Sequence, residues 1–176
     1  MQFEDITESS GLKDWAFPEV SAGVSMIDIN KDGWLDIYVC SFGFSENPQQ
    51  RRNKLYINNR NNTFTESAKQ YGLDDGGYSI QASFFDYDED GDLDMYLVNQ
   101  PTTLRKYKDQ VFNHPEQIMN EYTSDKLYQN QGNNTFRSVG KKAGIDNFDF
   151  GLGLLTTDIN EDGLTDIYVA NDFFGK

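Results

Sequence analysis

Three nine-residue segments carry side-chain oxygens at the same alternating positions: Asp28, Asn30, Asp32 and Asp36; Asp86, Asp88, Asp90 and Asp94; Asp158, Asn160, Asp162 and Asp166. Alternate side chains in a tight turn can converge on one point. A hard cation such as Ca2+ needs about six to eight oxygens at roughly 2.3 to 2.6 Å, which such a turn can supply. Gly33, Gly91 and Gly163, at the sixth position, permit the backbone conformation that turns the chain around an ion. The seventh position, Trp34, Asp92 or Leu164, can offer its main-chain carbonyl whatever its side chain, and the ninth closes the shell. A donor set without His or Cys argues for Ca2+ over zinc or copper, and a flexible, charge-rich loop argues for Ca2+ over Mg2+. One ion per loop gives about three Ca2+ sites.

An EF-hand loop has a similar spacing but needs a bidentate Glu at position 12 and flanking helices. Position 12 here is Val39, Leu97 or Val169, each inside an apolar run. The expectation is therefore a cation loop at the turn of a β-hairpin. So many carboxylates in one short loop repel one another when no cation is present. The alternative is an Asp/Gly-rich turn and nothing more; three copies in register favour the metal.

The elements that hold these loops repeat with them. DINKDGWLDIYVC (28–40) recurs as DYDEDGDLDMYLV (86–98) and DINEDGLTDIYVA (158–170), and NKLYINNRNNTFTESAKQYGL (53–73) recurs as DKLYQNQGNNTFRSVGKKAGI (125–145). The spacing from Asp28 to Asp86 is 58 residues and from Asp86 to Asp158 is 72, because the second unit carries a long polar stretch over 100–124. That stretch reads as a loop insertion on one rim, with room for a short helix. Strands are expected over 25–29, 83–87 and 154–159 leading into the loops, and over 35–42, 93–99 and 164–170 leaving them. LYINN and LYQNQ are third strands, joined by Asn-rich turns to fourth strands over 63–66 and 135–138. The predicted fold is all-β: a partial β-propeller of four-stranded antiparallel blades with calcium-binding hairpin loops. The units are 3–12, the closing strand of a preceding blade; 21–73, a blade; 79–145, a blade with the insertion; and 151–176, half a blade, as in a fragment of a longer protein.

At these residues the chain resembles the FG-GAP/VCBS repeat family, which includes the propellers of integrin α subunits. The calcium loop with DIYV, N/DKLYxN, xNNTF and a terminal A-x-x-x-G-L is most similar to the ASPIC/UnbV and cartilage-acidic-protein-like branch. The resemblance implies calcium in each loop, further blades in the same or another chain, and an exported protein that is extracellular, on the cell surface or periplasmic. It implies a binding or adhesion scaffold contacting a protein partner through rim loops. Related propellers also handle carbohydrate, so a glycan at the same loops is the rival expectation.

Composition narrows the partners. With 29 acidic against 15 basic residues the formal charge is −14, which repels phosphate backbones, so nucleic acid is not expected. No apolar run approaches the roughly 20 residues that cross a bilayer. Catalysis is not expected either. Cys40 aligns with Val98 and Ala170 and reads as a small buried residue, and His114, the one histidine, lies in the polar insertion with no Ser/His/Asp set around it. The sequons at Asn61 and Asn133 fall in the repeated turn, which turn chemistry explains. Arg105, Lys106, Tyr107, Lys108, Phe112, His114 and Tyr122 are the insertion's candidate contacts.

Overall fold

The computed structural model describes residues 2–12, 21–43, 45–101, 119–145 and 149–172. Among them, β1 (Ser21–Ile27), β2 (Asp36–Ser41), β3 (Lys54–Asn58) and β4 (Phe64–Glu66) form one antiparallel sheet in chain order. A single helical turn, α1 (Ala68–Tyr71), leads to a second such sheet of β5 (Ser79–Phe85), β6 (Asp94–Asn99), β7 (Lys126–Asn130) and β8 (Phe136–Ser138). A hairpin of β9 (Gly151–Thr157) and β10 (Asp166–Asn171) follows. The chain is therefore all-β, built of four-stranded antiparallel sheets in a partial propeller-like arrangement. Equivalent pairs keep one register: Tyr38 faces Leu55 as Tyr96 faces Leu127. A slip of one residue would turn every core side chain to the wrong face.

The apolar runs after the aspartate loops are continuous because their strands are buried on both faces. Tyr38 and Cys40 of β2 meet Met95 and Leu97 of β6 in the core between the first two sheets, with Leu55, Tyr71, Leu73, Tyr128 and Phe136 around them. The alternate residues of β6, Tyr96 and Val98, point the other way and pack with Leu154, Ile167 and Val169. Full burial of a side chain such as Leu97 stabilises by about 1.5–3 kcal/mol. Where no sheet covers a face, the same positions are open: Val24 and Met26 in β1 are exposed although their counterparts Ala82 and Phe84 in β5 belong to the core, and Tyr168 is exposed where Tyr96 is buried.

Cys40 lies in this core, and burial pushes its thiol up to about 12. A water-soluble thiol reagent should leave the native protein unmodified and label one site after denaturation; labelling of the native chain at a free-thiol rate would contradict the burial.

The first strand of each repeat starts and ends earlier than its apolar pattern predicts. Small residues start it. A Cβ on Gly23 would lie 2.4 Å from the Ile80 carbonyl oxygen, and one on Gly151 would lie 2.4 Å from Val98 Cγ1, so glycine there permits close approach of neighbouring sheets. The strands end before Asp28, Asp86 and Asp158 because those carboxylates take backbone donors that would otherwise join a ladder.

The helical turn α1 was hidden in a polar stretch, where it is stopped by Gly72 in the left-handed conformation, φ 73°. Over 3–12, expected as the closing strand of a preceding blade, no strand ladder forms among the described residues; Phe3 aligns with Phe64 and Phe136, which pair with β3 and β7. The segment docks instead through Ser10, whose carbonyl accepts from Phe64 N at 2.8 Å. Most of the insertion, including His114, lies outside the described residues. Its two stems are joined through Tyr78, whose N–H donates to Tyr122 O at 3.0 Å and whose carbonyl accepts from Gln100 N at 3.1 Å. The buried Arg51 guanidinium lies 3.8 Å from the centre of the Tyr78 ring.

Candidate metal-binding loops

Each loop is a β-hairpin turn folded by its own side chains. In the first, Asp28 accepts from Asp32 N at 2.9 Å and Gly33 N at 2.8 Å, Asn30 Oδ1 accepts from Asp32 N at 3.1 Å, and Asp32 Oδ1 accepts from Trp34 N at 2.9 Å. The second repeats this with Asp86 receiving Asp90 N and Gly91 N, and Asp90 receiving Asp92 N; the third does so with Asp158, Asn160, Asp162 and Leu164 N. The backbone is left-handed at the fourth and sixth positions of all three, Lys31 and Gly33, Glu89 and Gly91, Glu161 and Gly163. Glycine meets that demand without strain, whereas the fourth residue does not.

The ninth position differs from the sequence expectation in one respect. Asp36 and Asp94 are fully buried, and each anchors the hairpin with both oxygens. Asp36 accepts from Ile29 N at 3.2 Å and from Asn58 N, on the third strand, at 2.8 Å; Asp94 accepts from Tyr87 N at 3.0 Å and Asn130 N at 2.7 Å. Asp166 accepts from Ile159 N at 2.9 Å. These carboxylates tie the loop to the sheet, and each oxygen keeps a lone pair for a further partner. Burial, opposed by the two N–H donors and reinforced by Asp88 and Asp90, pushes Asp94 up to about 6. Asp36 is raised in the same way, mainly by burial.

In the second loop, Asp86, Asp88 and Asp94 each present an oxygen within 4.8 Å of the others, a spacing that a single cation can bridge. Asp90 lies in the same turn, and the Asp92 side chain points away to receive Lys31 Nζ of the first loop at 2.5 Å. Lys31 also donates to Gly91 O at 2.6 Å, so adjacent loops touch. Arg60 donates to Asp32 at 3.2 Å, and Gln129 donates to Asp88 at 2.5 Å. These cationic and amide partners were not legible in the loop pattern. Nor were Asn58 and Asn130, although the Asn recurring after LYI and LYQ was a signal. Trp34 and Leu164 are exposed, with nothing about their side chains suited to a metal.

Stacked four-stranded antiparallel sheets, each with an Asp-rich turn after its first strand, define a repeat protein of the propeller-like class. Residues 28–97 match the family of FG-GAP-like repeats, which supports the resemblance to FG-GAP repeat proteins over that part of the chain. The matched span runs from the start of the first aspartate loop through the second to Leu97 in β6. No curated protein matches the chain.

Proposed function

We propose that the three loops are Ca2+ sites and that the chain is a calcium-stabilised binding scaffold of an exported protein. The observation that carries the metal reading is the convergence of Asp86, Asp88 and Asp94 in a turn whose fold is repeated around Asp28 and Asp158. Asn30 and Asn160 supply amide oxygens in the other two loops at lower charge, and position seven supplies its carbonyl. Extracellular Ca2+ is abundant enough to fill sites of modest affinity. The motifs DIYV, KLYxN and NNTF support a reading in which the nearest relatives are the ASPIC/UnbV and cartilage-acidic-protein-like branch, with further blades in the same or another chain covering Val24, Met26 and Tyr168.

Function then falls to the rims. Antiparallel connectivity puts the aspartate loops on one rim and the ends of β2, β3, β6 and β7 that lead into the β2–β3 and β6–β7 connections on the other. A protein partner at these loops is the primary reading and a glycan the second; no catalytic role is proposed.

The experiment is a thermal melt in 2 mM CaCl2 and in excess EDTA, with calorimetric titration of the stripped protein. A ligand at 100 times its dissociation constant that binds only the folded state adds about 2.7 kcal/mol per site. The midpoint should rise by well over ~10 °C with a stoichiometry near three. Equal melts and no heat would dismiss the calcium reading.

A further inference from the structure

We propose that Arg137, Lys141 and Lys142, on the outer edge of the second sheet, bind a polyanionic glycan, a sugar chain with repeated sulfate or carboxylate groups. Arg137 lies in β8, the outermost strand, and the two lysines lie in the turn that follows, towards the rim opposite the aspartate loops. All three are exposed, and none forms an ion pair among the described residues. Lys31, Arg52, Arg60 and Lys126 are each matched with an aspartate. In a chain of net charge −14, three unmatched cations on one edge are a local reversal of sign.

The first sheet is an internal control. Its backbone is the same here: Ser67 N donates to Leu55 O at 2.7 Å as Val139 N does to Leu127 O at 2.8 Å, and Leu73 N donates to Ala68 O at 2.9 Å as Ile145 N does to Gly140 O at 2.8 Å. Yet the residues aligned with Arg137, Ser138, Lys141 and Lys142 are Thr65, Glu66, Lys69 and Gln70. The fold forms without the extra charge. Thr65, Lys69 and Gln70 also stay exposed with the second sheet packed alongside, so a neighbour beside the second sheet would leave the basic edge in solvent.

The cleft of about 820 Å³ beside this edge is not part of the site: Gly140 and Ile145 in its lining align with Ala68 and Leu73, which the second sheet buries, so a completed third sheet would fill it. Of the two acids on this side, Asp125 is turned to the sheet, accepting from Tyr96 Oη at 2.8 Å and Asn99 N at 2.9 Å. Exposed cations bind weakly one at a time, so a ligand with repeated anionic groups gains most from three together. A duplex, with a charge about every 1.7 Å, would lay phosphates against the acidic loops of the same sheet, whereas a single sugar chain can follow the edge.

The test measures binding of a heparin-derived octasaccharide to the whole chain at 50 mM NaCl and fixed 1 mM CaCl2. Binding should weaken at least tenfold in the R137T/K141Q/K142Q variant and with added salt, and should be unchanged in K69Q. R137T and K142Q take the first sheet's residues, K141Q removes the third charge, and an unaltered melt verifies the fold. No binding by the parent chain, equal binding by the triple variant, or equally tight binding of a polyglutamate peptide or an oligothymidylate of matched charge would each overturn the proposal. The reading does not rest on the calcium sites, whose own test is the EDTA melt.

Discussion

Replacing Asp94 with alanine should lower the melting temperature by about 5–15 °C, far more than the same change at Asp166. The difference follows from what each carboxylate holds. Asp94 is fully buried and satisfies Tyr87 N and Asn130 N, joining the second aspartate loop to the third strand of its sheet. Alanine leaves both donors without an acceptor, at about 1–3 kcal/mol each. Asp166 is half-buried and accepts from Ile159 N alone among the described bonds, so its loss should cost about 1 kcal/mol. Melts of the two variants in EDTA read this directly. Equal losses would mean that the anchor at position nine contributes nothing beyond the hairpin.

The same residue sets a pH dependence. Its folded-state pKa of about 6 lies above the ordinary aspartate value, so between about pH 4 and 6 the metal-free native state binds more protons than the unfolded chain. Its contribution to stability is present at low pH and declines as pH rises through 6. Calcium reverses the preference: the ion needs the carboxylate, so affinity at the second loop should increase up to about pH 6 and then level off.

Gly72→Ala should destabilise by about 2–4 kcal/mol and Gly144→Ala by about 1 kcal/mol, although both glycines end the same turn with φ of 73° and 77°. The left-handed backbone accounts for the shared part. At Gly72 a Cβ would also stand 2.8 Å from the Phe136 carbonyl oxygen in the neighbouring sheet, whereas at Gly144 it meets nothing within 4 Å. Gly11 is the intermediate case, with the Phe64 oxygen at 3.1 Å. Denaturant unfolding of the three alanine variants should rank them Gly72, Gly11, Gly144 in order of loss. An equal loss at all three would show that backbone conformation alone is at work and the contact between sheets is loose.

Much of the architecture was legible because it recurs. A pattern such as DIYV is ambiguous once, but three copies fix a strand, its loop and its register. The strand starts were not legible: Ser21, Ala22 and Gly23 carry no apolar alternation, and they join β1 because Gly23 must approach Ile80. The loop oxygens could be read from their spacing. The partition of labour among them could not, since it depends on Asn58 and Asn130, more than 20 residues away in sequence and brought in only by sheet pairing. Lys31 reaching Asp92 of the next loop belongs to the stacking of sheets, which no local pattern encodes.

The turn at Gly72 carries one more consequence. The Phe136 carbonyl packs against it, so the last segment of one repeat meets the last strand of the next, and Gly11 stands to Phe64 in the same relation. The unit that folds is thus offset from the unit that is drawn as a sheet. In nearest-neighbour language, a large share of the free energy sits in the coupling between repeats and little in either alone. Such a chain melts cooperatively, and a duplication or excision preserves its couplings only when the cut keeps each glycine turn with the strand that receives it.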